Sequence, residues 1–217
     1  REDCSRSAPK RPPIAAGIRA DGTGVLRVVA TDGIVEKIAA VAPGVEVIEV
    51  EVAGPPTSVT LRAAGWAEAV VLIAGIGAPS DVVSVEPATG ISPERVVVRT
   101  TDGAVAAASV TAAGIVVHVQ AGAALDEVTL RSYCIGAAHM AFGWVTSEGI
   151  AVDADGTVLD LTIRSLGVLK ASDTPHIQIV VDPSGGEPVQ VSDAVFAAVA
   201  AATWRHLGCP TDWPTGT

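Results

Sequence analysis

Apolar and polar positions change their period several times along this chain, and each change marks an element. Residues 14–33, IAAGIRADGTGVLRVVATDG, form two β-rich runs around Asp21, Gly22, Thr23 and Gly24, which predicts a hairpin. In IVEKIAAVAPG the apolar residues Ile34, Val35, Ile38 and Val41 fall at helical spacing, and Pro43 and Gly44 end the pattern. VEVIEVEVAG returns to a strand, with Glu46, Glu49 and Glu51 only partly alternating with valine and isoleucine. A longer helix follows over 55–77, with a break or kink expected near Gly65, and 78–93 reads as a connector.

The second stretch repeats this on a larger scale. RVVVRTTDGAVAAASVTAAGIVVHVQAG supplies strands turned at Asp102 and Gly103, and 125–149 a long helix whose Gly136, Ala137, Ala138 and Ala141 predict very close packing. A further hairpin turns at Asp155 and Gly156, and a strand within DTPHIQIVVDP leads to a helix from an N-cap at Ser192 to about His206. The tail GCPTDWPTGT is expected to wrap over the surface. Strand-like and helical runs thus alternate through both stretches, which predicts an α/β (α+β) fold of two related halves, each a small sheet layered with helices. The expected divisions are a disordered tail over 1–13, a first half over 14–93 and a second over 94–217.

Composition narrows this further. At 217 residues the chain is long enough to bury roughly 70 % of its unfolded surface. With 49 % hydrophobic residues but 3 % aromatic, the core must be built from Ala, Val, Ile and Leu around four tryptophans. The formal net charge is −10, and the one basic cluster, RSAPKRPP, lies in the tail. That argues against nucleic acid as a partner. No apolar run is long enough to span a membrane, and Cys4, Cys134 and Cys209 show no paired or metal-binding spacing, so a cytoplasmic protein with reduced thiols and no metal site of its own is expected. The chain begins at Arg1 rather than Met, which leaves its natural start open.

One acid stands out. Glu187 lies between Gly185-Gly186 and Pro188, just ahead of an alanine-rich helix. Glycines that turn freely and a proline that fixes φ make a solvated turn acid the plain reading. The alternative is chemical: a carboxylate on a tight turn can be carried into a cleft as a general base. Residues in other places offer less. His118, His139, His176 and His206 are scattered, Cys134 has no activating histidine in its motif, and neither ADGTG nor DPSGG leads into a helix as a phosphate loop does.

From about Val96 to Gly208 the order of motifs resembles the C-terminal molybdopterin-binding region of the xanthine dehydrogenase and aldehyde oxidase family. The helix IGAAHMAFGW, the hairpin DADGTVL, the step DTP, the strand IQIVV and the turn GGEP follow that family's sequence of elements. The first half resembles the preceding domain more weakly. The resemblance implies a molybdopterin cofactor, an aldehyde or heterocycle as substrate, Glu187 as the base, and Gly136, Ala137, Gly185 and Gly186 beside the cofactor. This sequence departs from the family in having no Gly-Gln-Gly loop after Gly33, no substrate-pocket insertions and a much shorter chain. The departures imply a chain inactive in isolation. The long helix from about Arg131 to Ser147 has small residues on one side and Phe142 and Trp144 among larger ones, so one surface should pack inside the chain and another is left for a partner, which predicts a homo-oligomer or a complex with a partner subunit. Three functions are therefore open: a reduced oxidoreductase subunit, a non-catalytic structural or interaction module, or a molybdopterin carrier.

Overall fold

The computed structural model describes residues 14–51, 59–90, 92–149 and 165–211, with residues 153, 155, 157, 159, 162 and 215 besides. The tail over 1–13 and most of the hairpin read over 150–167, Gly156 included, lie outside the described residues.

The fold is mixed α and β, two small sheets layered with helices. Strands β1 (Ile14–Ile18) and β2 (Gly24–Val29) form the expected antiparallel hairpin, and β3 (Val45–Val50) joins β2 in parallel. The crossover between β2 and β3 is α1 (Ile34–Val41), after which α2 (Val59–Ile76) runs toward the second sheet. That sheet has the order β4-β5-β6-β7-β8. β4 (Val83–Glu86), β5 (Arg95–Arg99), β6 (Val105–Thr111) and β7 (Gly114–Gln120) pair antiparallel in turn, and β8 (Ile177–Val181) lies parallel to β7. Helix α3 (Glu127–Thr146) lies on the crossover between β7 and β8, and α4 (Ser192–His206) follows. The first half therefore runs hairpin, helix, parallel strand, helix, and the second repeats that order from β6 onward behind two further antiparallel strands. A parallel pair needs such a crossover, and a helix supplies it.

Packing explains which residues took these roles. Ile34, Ile38 and Val41 form one buried stripe on α1, and an eight-residue helix has little stability without such burial, at roughly 1.5–3 kcal/mol per side chain. Helix α4 is buried on nearly every side, with Ala194, Val195 and residues 197–203 buried. Its alanines let α2, α3 and the second sheet approach it closely. Trp144 of α3 stacks on Phe196 of α4 with ring centroids 5.5 Å apart. At Gly75 on α2 a methyl group would overlap the Trp204 ring of α4. Trp204 is pinned in place by its indole N–H, which donates to the Pro210 carbonyl at 3.0 Å. Arg205 closes the end of this layer: it grips the Glu94 carboxylate through Nε at 2.7 Å and Nη2 at 2.9 Å and donates through Nη1 to the Ala74 carbonyl at 2.7 Å. One buried apolar cluster accordingly runs through both halves.

Three local expectations are corrected. Residues 78–93 are not a bare connector, because β4 forms within them and extends the second sheet. Helix α2 runs unbroken through Gly65. A Cβ there would stand 3.2 Å from Ile34 Cδ1, so this glycine serves close approach to α1 rather than a bend. The N-cap of α4 is Val191, not Ser192, and no side chain caps it.

Candidate functional site at the Gly-Gly-Glu-Pro turn

The turn at residues 185–188 follows β8 and lies against the segment that leaves β7. β7 and β8 are the parallel pair of the sheet, and in open α/β sheets the carboxyl ends of parallel strands are where ligands gather. Backbone contacts fix the turn there. The Ala123 amide donates to the Gly186 carbonyl at 3.1 Å, and the Val189 amide to the Ala121 carbonyl at 3.0 Å. The Ser184 hydroxyl donates to the Gly122 carbonyl at 3.3 Å. Gly122 has φ +68° and admits the turn so closely that a Cβ on it would collide with the Glu187 carbonyl oxygen. Gly186 itself has φ +98°, a left-handed conformation that suits glycine.

Glu187 is thus held firmly by its backbone while its side chain is exposed. No hydrogen bond or ion pair to a described residue is seen for its carboxylate. Gly185 and Gly186 face open space, with no atom within 4 Å of a Cβ built on either. Two surface basins lie elsewhere, one beside Pro93, Glu94 and His206 and one on the outer face of the second sheet.

Helix α3 begins next to the turn. Asp126 caps it, accepting from the Thr129 amide at 2.6 Å, and the Thr129 hydroxyl and amide hold its carboxyl below the usual range. Arg131 binds Glu127 through Nε at 2.9 Å and reaches the Ile179 carbonyl of β8, which locks the helix to the sheet. Gly136, expected among the close-packed small residues, instead points outward with nothing within 4 Å of a built Cβ. Ala137 is buried in the core. Ten residues of helix separate Asp126 from Gly136, roughly 15 Å at the α-helical rise. Gly136 therefore lies well down the helix from the end that meets the turn.

The fit of a molybdopterin group follows from these placements. Gly136, Gly185 and Gly186 each face open space, with no atom within 4 Å of a built Cβ, and none of them lines either basin. The described residues alone do not fit the cofactor. His139 turns instead to Thr174, with Nδ1 and Oγ1 2.8 Å apart. Cys134 is fully buried, and burial pushes its thiol up to about 11, with Arg131 opposing. Iodoacetamide at pH 8 should leave Cys134 unmodified in the folded chain and label it once the chain is unfolded, as read by peptide mass spectrometry. Comparable labelling in both states would show that the helix opens.

The partner surface expected on the long helix from about Arg131 starts earlier in the structure, beside the turn. Leu125, just ahead of the Asp126 cap, is 91 % exposed, and Val128 in the first helical turn is 77 % exposed. Tyr133, Ile135 and Met140 continue an outward face on which Thr129 and Ser132 are uncharged as well. The signal was present in Leu125: an apolar residue before an N-cap ordinarily packs back onto its own helix, and here it does not.

No family model matches the chain, and no curated protein matches it. Among solved structures it is similar to CO dehydrogenase from Oligotropha carboxidovorans, at 13 % identity and a TM-score of 0.43 over 90 % of this chain and 34 % of that one. It is also similar to quinoline 2-oxidoreductase from Pseudomonas putida 86, at 14 %, 0.39, 91 % and 36 %. Against the aldehyde oxidoreductase from Desulfovibrio desulfuricans ATCC 27774 the values are 14 %, 0.31, 87 % and 28 %. These are molybdenum hydroxylases, the family that the sequence resembles, and the chain spans about a third of each of their chains. At these scores the likeness decides neither the site nor the activity.

Proposed function

We propose that this chain is one wall of a molybdenum-hydroxylase-type oxidoreductase that acts on an aldehyde or heterocycle only within an assembly, and that it is no catalyst by itself. One observation carries the reading: the Gly-Gly-Glu-Pro turn is anchored by its backbone at the ends of two parallel strands, yet nothing among the described residues stands in front of it. A fixed acid with no opposite wall is half of a site. The exposed apolar surface that starts at Leu125 and runs down α3 adjoins that turn, so a partner seated on it also closes the space before Glu187. A second copy of the chain would bring the same described residues, and among these there is no cradle for the cofactor. The partner is therefore a different polypeptide, and it holds the cofactor.

A second reading, an interaction module with no part in chemistry, draws support from the same uncharged face on α3. Glu187→Gln separates the two. As a change on an exposed side chain it should leave folding stability within about 1 kcal/mol of the parent. In the assembly purified from the native host, assayed with an artificial electron acceptor, it should abolish turnover while molybdenum content is kept. Unchanged turnover would favour the interaction module, and a large loss of stability would show that the acid serves the fold.

A further inference from the structure

Among the described residues the helices that pack on the second sheet cover one face, and the other face holds a polar trough apart from the Glu187 carboxylate. Pairing places Arg99, Val105 and Gln120 in one row across β5, β6 and β7, and Val97, Ala107 and His118 in the next. The middle strand contributes only the short Val105 and Ala107. Arg99 and the pair His118 and Gln120 thus face each other across two strand spacings, about 10 Å. The space between is a basin of ≈ 170 Å³ whose lining includes Arg99, His118, Gln120 and Asp182. That is too small for a drug-sized ligand, and a few heavy atoms with their water fill it.

The charges around it are mostly spoken for. Arg95 Nε lies 3.2 Å from Glu86 Oε2. His118 Nδ1 lies 3.3 Å from each oxygen of Asp182, which commits that nitrogen to the carboxylate and leaves Nε2 free for the basin. Arg99 is exposed, and among the described residues it has no carboxylate partner; its Nη1 has only the Ser84 hydroxyl, at 3.5 Å. The Glu86 and Asp182 carboxylates also line the basin, paired with Arg95 and His118; the remaining guanidinium of Arg99 at one edge, an amide donor at the other and an apolar floor suit a small oxyanion, because the planar fork of arginine matches carboxylate and phosphate oxygens.

We propose that this trough binds a small oxyanion, a carboxylate or a phosphate, with Arg99 as its charge partner and Gln120 as the opposing donor. The inference does not depend on the reading of Glu187. Titration of the full chain with inorganic phosphate and separately with acetate, followed through the His118 ring resonances, tests it. Saturable shifts with either ion are expected, and the ion that saturates at the lower concentration identifies the chemistry. Arg99→Gln should raise the dissociation constant at least tenfold, and Ala107→Leu, which fills the floor without removing charge, should do the same. Arg27→Gln on the distant first sheet should change nothing. Shifts that never saturate with either ion, or that persist unchanged in both trough variants, would overturn the assignment.

Discussion

Gly122→Ala is expected to be among the most damaging single-methyl changes in this chain, costing roughly 2–5 kcal/mol of folding stability. Two independent costs add there. An alanine at φ +68° carries the left-handed penalty of about 1–2 kcal/mol. Its methyl group also meets the Glu187 carbonyl oxygen, a backbone atom that cannot rotate away, and overpacking of this kind costs typically 1–3 kcal/mol. Relief requires the turn to move, which breaks the bond from the Ala123 amide to the Gly186 carbonyl. The same substitution at Gly136 provides the contrast. That glycine lies inside a helix with open space around it, so Gly136→Ala should stabilise by up to about 1 kcal/mol. Urea unfolding followed by circular dichroism reads both. Equal midpoints for the two variants would mean that the turn is not seated on Gly122.

Val128→Asp is expected to strip the chain of its partner while leaving its fold intact. The side chain is 77 % exposed, so no core contact is lost. The position lies in the first turn of α3, where the helix dipole favours an acid by about 0.3–1 kcal/mol. In the assembly the same aspartate would be buried against an apolar surface without a counter-charge, and an unpaired buried charge costs several kcal/mol. Binding should therefore weaken by a hundredfold or more, measured by light scattering of the tagged chain purified from its native host. An unchanged particle mass would place the interface elsewhere.

Local chemistry explains what the sequence made legible. Asp21 to Gly24 and Asp102-Gly103 announce their turns through residues that accept unusual φ, and α1 shows its buried stripe in three residues. What escaped depends on partners distant in sequence. β4 is four residues long and exists because β5 lies beside it. Gly65 reads as a helix breaker until Ile34 is seen against it. The small residues of α3 looked like one packing surface, but Ala137, Ala138 and Ala141 face the core while Gly136 turns away, a distinction that residue size does not encode. At the candidate site the sequence pointed to Glu187 and its glycines. It pointed to a partner surface on the long helix but not to the start of that surface at Leu125, nor to Gly122 beneath the turn, because both matter only once β7 and β8 are side by side.

The claim that this chain works only as one wall of a larger assembly is tested most directly by light scattering and molybdenum analysis across a single chromatographic peak of protein from the native host. The expected result is a particle heavier than a single copy of the chain, with a second polypeptide and molybdenum in that peak, and metal-free chain wherever it elutes alone. A particle holding one copy of the chain and no second polypeptide, with one molybdenum per chain, would contradict it.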